Sequence, residues 1–254
     1  MATHNWTRDE LIVAFNLYCK IPFGRIHNRN PEILELAGLL GRTASAVSWK
    51  LANFARLDPT LQRRGIAGAS HGSKSEQEIW DEFNQDWDKL SFESENVLAQ
   101  LSGKSVEEVA NIDVSDLPLG KERETTVRVR VNQGFFRSSV LAAYSNRCCI
   151  TGLAIPDLLN ASHIVPWSVD SQNRVNPHNG LCLNALHDRA FDRGLLTITL
   201  DHKVRLSSLV KGLPKPDAAT ELLLRYENSE IALPEKFAPE SRFLEYHICN
   251  IFRG

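Results

Sequence analysis

Residues 148–207, CCITGLAIPDLLNASHIVPWSVDSQNRVNPHNGLCLNALHDRAFDRGLLTITLDHKVRLS, decide the reading of this 254-residue chain. LLNASHIV is a short apolar strand carrying His163, and NGLCL is a second strand that begins at Asn179. ALHDRAFDRG is a short helix carrying His187 and ending at Gly194. A strand, a strand and a helix in this order can bring three polar side chains together.

Upstream, the pattern is helical. Thr7 and Glu10 have the spacing of a capping box, with Trp6 and Leu11 as a hydrophobic staple, and open an amphipathic helix carrying Leu11, Ile12, Phe15 and Tyr18 until Pro22 and Gly24. Asn30-Pro31 caps a second helix that ends at Gly41. A third, TASAVSWKLANFARL, buries Ala44, Val47, Leu51 and Phe54. The second and third helices, joined by a short turn, read as a helix-turn-helix. QRRGIAGASHGSKS is a loop, and a fourth helix follows with a cap at Ser75 and Glu78 and with Ile79, Phe83 and Trp87 on one face. Residues 91–124 form a linker with weaker helices, one capped by Ser105 and Glu108, and an LPLG turn. TTVRVRVNQ alternates like a strand, and FFRSSVLAAYSNR has helical spacing in Phe136, Val140 and Tyr144.

Composition narrows the class. The formal charge is −2, so the chain does not coat nucleic acid by bulk attraction. The sum hides an asymmetry: nine Lys/Arg face five Asp/Glu over residues 1–70, three face twelve over 71–120, and seventeen face fourteen over the rest. No apolar run approaches the ~20 residues of a membrane span, which predicts no membrane partner. An odd number of cysteines, Cys19, Cys148, Cys149, Cys182 and Cys249, forms no disulfide framework. Together with a polar amino terminus, this predicts a cytoplasmic protein. Cys148 and Cys149 read as small buried hydrophobes.

Hydrolysis of a phosphodiester requires an activated water, stabilisation of developing negative charge and help for the leaving oxygen. A histidine with an ordinary pKa of about 6.5 can take the proton, and a divalent metal can do the rest. The segments CCITG, ASHIVPW and NGLCLNALHDRAFDRGLLTI resemble the HNH (ββα-metal) endonucleases, particularly a bacterial restriction-type group. The resemblance extends over residues 125–254, including QGFFRSSVLAAY and ESRFLEYHICNIF. It implies His163 as general base, Asn179 as the residue that fixes the base's loop, His187 as a metal ligand, and products with 5′-phosphate and 3′-hydroxyl ends.

Ser162 stands where that family often has an acidic metal ligand. The metal's further ligand is therefore Asn179 itself, or a carboxylate from Asp157, Asp188 or Asp192. Mg²⁺, with Mn²⁺ or another divalent ion as substitutes, suits so sparse a site. The chain has no CxxC pair, which predicts no four-cysteine structural zinc. His178, His202 and His247 read as structural histidines, and Asp192 and Arg193 as a helix end.

The expected fold class is α+β: an all-α, helix-turn-helix-like bundle over residues 1–90, the linker 91–124, and a ββα-metal nuclease domain over 125–254. On the third helix Ser45, Trp49, Asn53 and Arg56 are expected to face the DNA major groove, with Arg42 and Lys50 on phosphates. Arg63 and Arg64 read equally as a further phosphate contact or a solvated loop. Trp49 could stack on a modified base. The expected activity is metal-dependent cleavage of double-stranded DNA by a homodimer, since one such site cuts one strand. The alternatives are a DNA-binding regulator whose nuclease fold is inactive, and a nuclease for RNA or structured DNA.

Overall fold

The computed structural model describes residues 5–66, 72–115, 120–214 and 217–254. The chain is α+β, a helical amino-terminal half followed by small antiparallel strand pairs among helices. Helix α1 (Arg8–Lys20) starts at the capping box expected from Thr7 and Glu10. It is the centre of the bundle rather than an amphipathic surface helix. Val13, Ala14 and Cys19 are buried along with Leu11, Ile12, Phe15 and Tyr18, so almost no face is left to water.

α2 (Pro31–Leu39) is capped by Asn30, and α3 (Ala44–Ala55) by Thr43. Both pack on α1, with Val47, Leu51 and Phe54 inward. The stretch expected as loop first forms a short helix, α4 (Pro59–Arg63), because Asp58 caps it and Pro59 sits at its first position. Residues 67–71 of that stretch lie outside the described residues. The next cap falls two residues earlier than the Ser75–Glu78 spacing suggests. Ser73 and Glu76 close the box at the start of α5 (Lys74–Phe83), and Glu76 is fully buried there.

Trp87 belongs not to that helix but to the first turn of α6 (Trp87–Ser102), capped by Asp86. Helix α6 covers much of the expected linker and packs on α1, then leads to α7 (Val106–Val109), where Ser105 and Glu108 form the expected box. Most of the LPLG turn, residues 117–119, is outside the described residues. TTVRVRVNQ is not a strand. It lies in one long helix, α8 (Lys121–Ala143). Val127, Val131 and Phe135 are buried four residues apart, a spacing that fits both a two-residue alternation and a helix. The continuation through Phe136, Ser139 and Val140 resolves it as helical.

α8 delivers the chain to β1 (Leu159–His163), which pairs antiparallel with β2 (Gly180–Asn184), His163 opposite Gly180. α9 (Ala185–Asp192) follows, capped by Asn184 and ending at Arg193 before the positive-φ Gly194. A Cβ on Gly194 would lie 2.0 Å from the Ile251 carbonyl, so the carboxy terminus closes directly on this turn. A second pair, β3 (Leu196–Ile198) with β4 (Val204–Leu206), precedes α10 (Ser208–Lys211), α11 (Ala218–Leu224) and α12 (Ser241–Asn250).

The buried apolar residues form one cluster that runs from Leu11 to Leu244. Lys236 ties its two ends. Its buried ammonium donates to the carbonyls of Cys19 (3.1 Å), Ile21 (2.8 Å) and Tyr18, the otherwise unpaired end of α1, where the helix dipole also favours a cation. Phe237 beside it packs edge-on against Tyr18 and Trp87. Replacing Lys236 with Met leaves three carbonyls without their charged donor. We expect a loss of about 3 kcal/mol in urea unfolding, and a loss below about 1 kcal/mol would mean that water reaches those carbonyls.

Candidate active site

His163 lies in a cavity of about 650 Å³ walled by α8 on one side and α9 on the other. Its ring stacks on Phe136, centroids 3.7 Å apart and planes within 9°, with Trp167 edge-on at 5.6 Å. Gly180, across the ladder from His163, leaves room for this contact. A Cβ there would lie 2.3 Å from Val140 and 3.1 Å from the Phe136 ring.

The His163 Nε2 is 2.8 Å from the Arg174 carbonyl. A carbonyl only accepts, so Nε2 carries the proton and donates it, leaving the Nδ1 lone pair open. The ring makes no other hydrogen bond among the described residues. Burial lowers the His163 pKa, and the bond to Arg174 only partly opposes this, so the imidazole is neutral at neutral pH.

Asn179 is fully buried and engages the same loop with its whole amide. Oδ1 accepts from the Val165 N–H at 2.8 Å, and Nδ2 donates to the carbonyls of Val165 (3.1 Å) and Asn173 (3.2 Å). It therefore holds residues 165–173 in the shape that presents the next carbonyl, that of Arg174, to His163. Asn179, expected also as a metal ligand, is fully buried and does not line the cavity of His163.

His187, the expected metal ligand, does not line the cavity of His163. It is brought not to His163 but to a separate cavity, with Leu153, Leu158 and Tyr226. Its Nδ1 donates to Asn184 Oδ1 at 3.0 Å, its Nε2 is buried without a partner, and burial pushes its pKa down to about 4. The residue of α9 that faces β1 is the next one. Asp188 accepts from Asn160 Nδ2 at 2.6 Å and from the Ser162 hydroxyl. Asp192, one turn on, lines the same cavity as His163 and Asp188. Its pKa is raised by burial and by the charge of Asp188, against weaker opposition from Arg189 and Arg193.

The charge of Asp188 raises the cost of ionising Asp192, and two carboxylates on one wall suit a hard divalent cation. Among the described residues no group of three or more His, Cys, Asp or Glu side chains converges as a metal cage. Asp157, the remaining carboxylate considered, is exposed and does not line this cavity. His247 lies at the back of the cavity as a satisfied core histidine, accepting from the Thr197 hydroxyl and donating to the Phe191 carbonyl. His178 donates to the Ala238 carbonyl.

The expected groove-facing surface of α3 is mostly turned inward. Lys50 pairs with the buried Glu76, and Asn53 donates to the same carboxylate at 2.8 Å. Arg42 binds Glu10 and lies over Trp6, and the Arg56 guanidinium packs against Gly72. Lys50 and Asn53 are thus engaged by α5 and Arg42 by α1, rather than left to face a groove, while Arg56 is half-buried beside Gly72. Ser45 is exposed and accepts from Asn28, and Trp49 is 65% exposed. In α4 and its cap, Arg64 donates to the Glu235 carbonyl and Arg63 to that of Pro59.

Residues 148–199 match the family model described as HNH endonuclease. No curated protein matches the chain. The segment that holds β1, β2 and α9 is thus similar to a family of nucleases, enzymes that act on nucleic acid and generally use a divalent metal. No helix among the described residues is long and apolar enough to cross a membrane.

Asn179→Ala removes one acceptor and two donations from a dry loop. The expected cost is about 3 kcal/mol, with loss of hydrogen-exchange protection at the Val165 amide. Retained protection there would show that the loop holds its shape without the amide.

Proposed function

We propose that this HNH segment hydrolyses phosphodiester bonds of double-stranded DNA, with His163 as the general base. One observation carries the reading: the tautomer of His163 fixed by the Arg174 carbonyl leaves Nδ1 as a neutral lone pair without a partner among the described residues, on a ring that lines the cavity also holding Asp188 and Asp192. Nδ1 takes a proton from the attacking water, and the Arg174 carbonyl stabilises the imidazolium formed by keeping its bond to Nε2. Stacking on Phe136 stops the ring from turning away. Asn179 acts at one remove, through the loop, as a positioning residue.

Asp188 and Asp192 are the residues we assign to hold Mg²⁺ or Mn²⁺, which when bound stabilises charge on the phosphate and on the departing 3′ oxygen. Asn160 and Ser162 orient the Asp188 carboxylate. Ser162, standing where an acidic ligand is common, thus has a carboxylate brought to it from α9. The products then carry 5′-phosphate and 3′-hydroxyl ends.

We further read the protein as a restriction-type enzyme acting as a homodimer, because a break in both strands takes two such sites. Ser45 and Trp49 are the residues of α3 left available to DNA, and Trp49 offers a stacking face for a modified base.

Plasmid incubated with Mg²⁺ or Mn²⁺ tests the activity, with plain and base-modified DNA and an RNA control. Metal-dependent nicking is expected from the wild-type protein, and a fall of at least about 10²-fold from His163→Ala. Absence of nicking on every substrate would favour the regulator.

Two further outcomes follow from the site. The base works only when unprotonated, so a lowered pKa extends activity into acid: the acidic limb of kcat/KM should fall below the ordinary imidazole value of about 6.5. A limb at or above that value would exclude His163 in this environment. Asp188→Asn and Asp192→Asn should each weaken Mn²⁺ binding by calorimetry while His187→Gln leaves it nearly unchanged, and the reverse order would restore His187 as the ligand.

A further inference from the structure

The two helices that wall the cavity of His163 bring arginines as well as acids to it. α8 contributes Arg137, next to the Phe136 on which His163 stacks, and α9 contributes Arg189 and its cap residue Arg193. All three are exposed, and none makes a salt bridge or a side-chain hydrogen bond among the described residues. Arg189 and Arg193 act on the charge of Asp192.

Their arrangement on α9 is ordered. Asp188 and Asp192 recur four residues apart, which puts them on one stripe of the helix. Arg189 and Arg193 recur at the same spacing one residue on, and so form a second stripe about 100° around the axis. Asp188 of the acidic stripe is bonded to β1 through Asn160 and Ser162, and Asp192 lines the cavity beside it. The basic stripe runs beside it, and Arg137 stands on the α8 wall of the same cavity. An acidic stripe suits a cation, and a basic stripe beside it suits anions next to that cation. A polynucleotide strand offers this sequence of charges: one phosphate at the metal, and its neighbours along the backbone. Guanidinium groups, planar and always charged, match phosphate oxygens in pairs.

We propose that Arg137, Arg189 and Arg193 form a phosphate clamp that grips the backbone on either side of the scissile phosphate, laying one strand of the duplex between α8 and α9. The proposal rests on the reading of this cavity as the DNA-cleaving site. It assigns the cavity's arginines to positioning of substrate, and the proton transfer remains with His163. Since the contacts are to phosphate alone, the clamp contributes affinity and register without sequence preference.

Salt dependence of binding tests it without cleavage. In the His163→Ala background at constant Mg²⁺, binding of a short labelled duplex is followed by fluorescence anisotropy across a range of KCl. Each Arg→Gln substitution should make the slope of log K against log salt shallower by about 0.9, and the triple variant by about 2.7. The triple Arg→Lys variant, which keeps the charges, should restore most of the slope, a result that a merely structural role would not give. Thermal melts identify any variant that fails to fold, and the single substitutions and the lysine variant then carry the test. An unchanged slope in the folded triple Gln variant overturns the clamp, as does a change seen with single-stranded DNA only. An enzyme that nicks DNA yet shows an unchanged slope loses the clamp alone. A protein that shows the slope change but never nicks keeps the clamp and loses the hydrolytic reading.

Discussion

The buried amide of Asn179 is the constraint on which the site depends. A neutral histidine is a general base only if one ring nitrogen is protonated and the other is open, and something must choose which. Here the choice is made by the Arg174 carbonyl, which can only accept. That carbonyl sits in a loop with no ladder of its own, so its position depends on whatever pins the loop. Asn179 pins it, by accepting from Val165 N–H and donating to two carbonyls. An asparagine suits this position because it presents an acceptor and two donors on one planar group. An aspartate would face the two carbonyls with lone pairs, and a glutamine would need a longer gap.

The second constraint is steric and comes from α8. The flat contact between Phe136 and His163 requires the helix to approach the strand pair closely at the His163–Gly180 rung, and only a residue without a Cβ permits it. Burial of the ring then follows from packing, and with it the depressed pKa. The protonation state, tautomer and orientation of His163 thus have three separate causes: desolvation, the loop carbonyl and the aromatic face.

Much of this was legible in the residues. Strand, strand and helix around His163, Asn179 and Gly194 follow from short apolar runs and from turn chemistry, and the amino-terminal caps at Thr7, Asn30 and Ser105 follow from spacing. What escaped was phase. One residue along a helix is about 100° of rotation, so whether His187 or Asp188 faces β1 is set by where Asn184 caps α9, a detail finer than the pattern. TTVRVRVNQ escaped because residues four apart satisfy both periods. Lys50 and Asn53 escaped because the group that claims them, Glu76, belongs to a helix whose docking on α3 is a tertiary fact. A pair of residues one turn apart on a polar face looks the same whether a neighbouring helix or solvent covers it.

The charge distribution gains its sense only at the scale of the site. A chain with a net charge of −2 attracts no polyanion from a distance, and several basic residues of the amino-terminal bundle are spent internally: Arg42 on Glu10, Lys50 on Glu76, Lys20 on Glu95. Part of the acidic middle of the sequence, Glu76, Glu82, Glu93 and Glu95, is therefore a structural counterpart to the basic start. Around His163 the balance differs. Asp188 is bonded to β1 and Asp192 lines the same cavity, while the arginines beside them make no salt bridge among the described residues, so acidic and basic groups lie side by side within one cavity. Such a field is short in range, falling off over about 10 Å at ordinary ionic strength. It distinguishes a phosphate already in the cavity from one outside it, and that selectivity, unlike long-range attraction, does not require the whole protein to be basic.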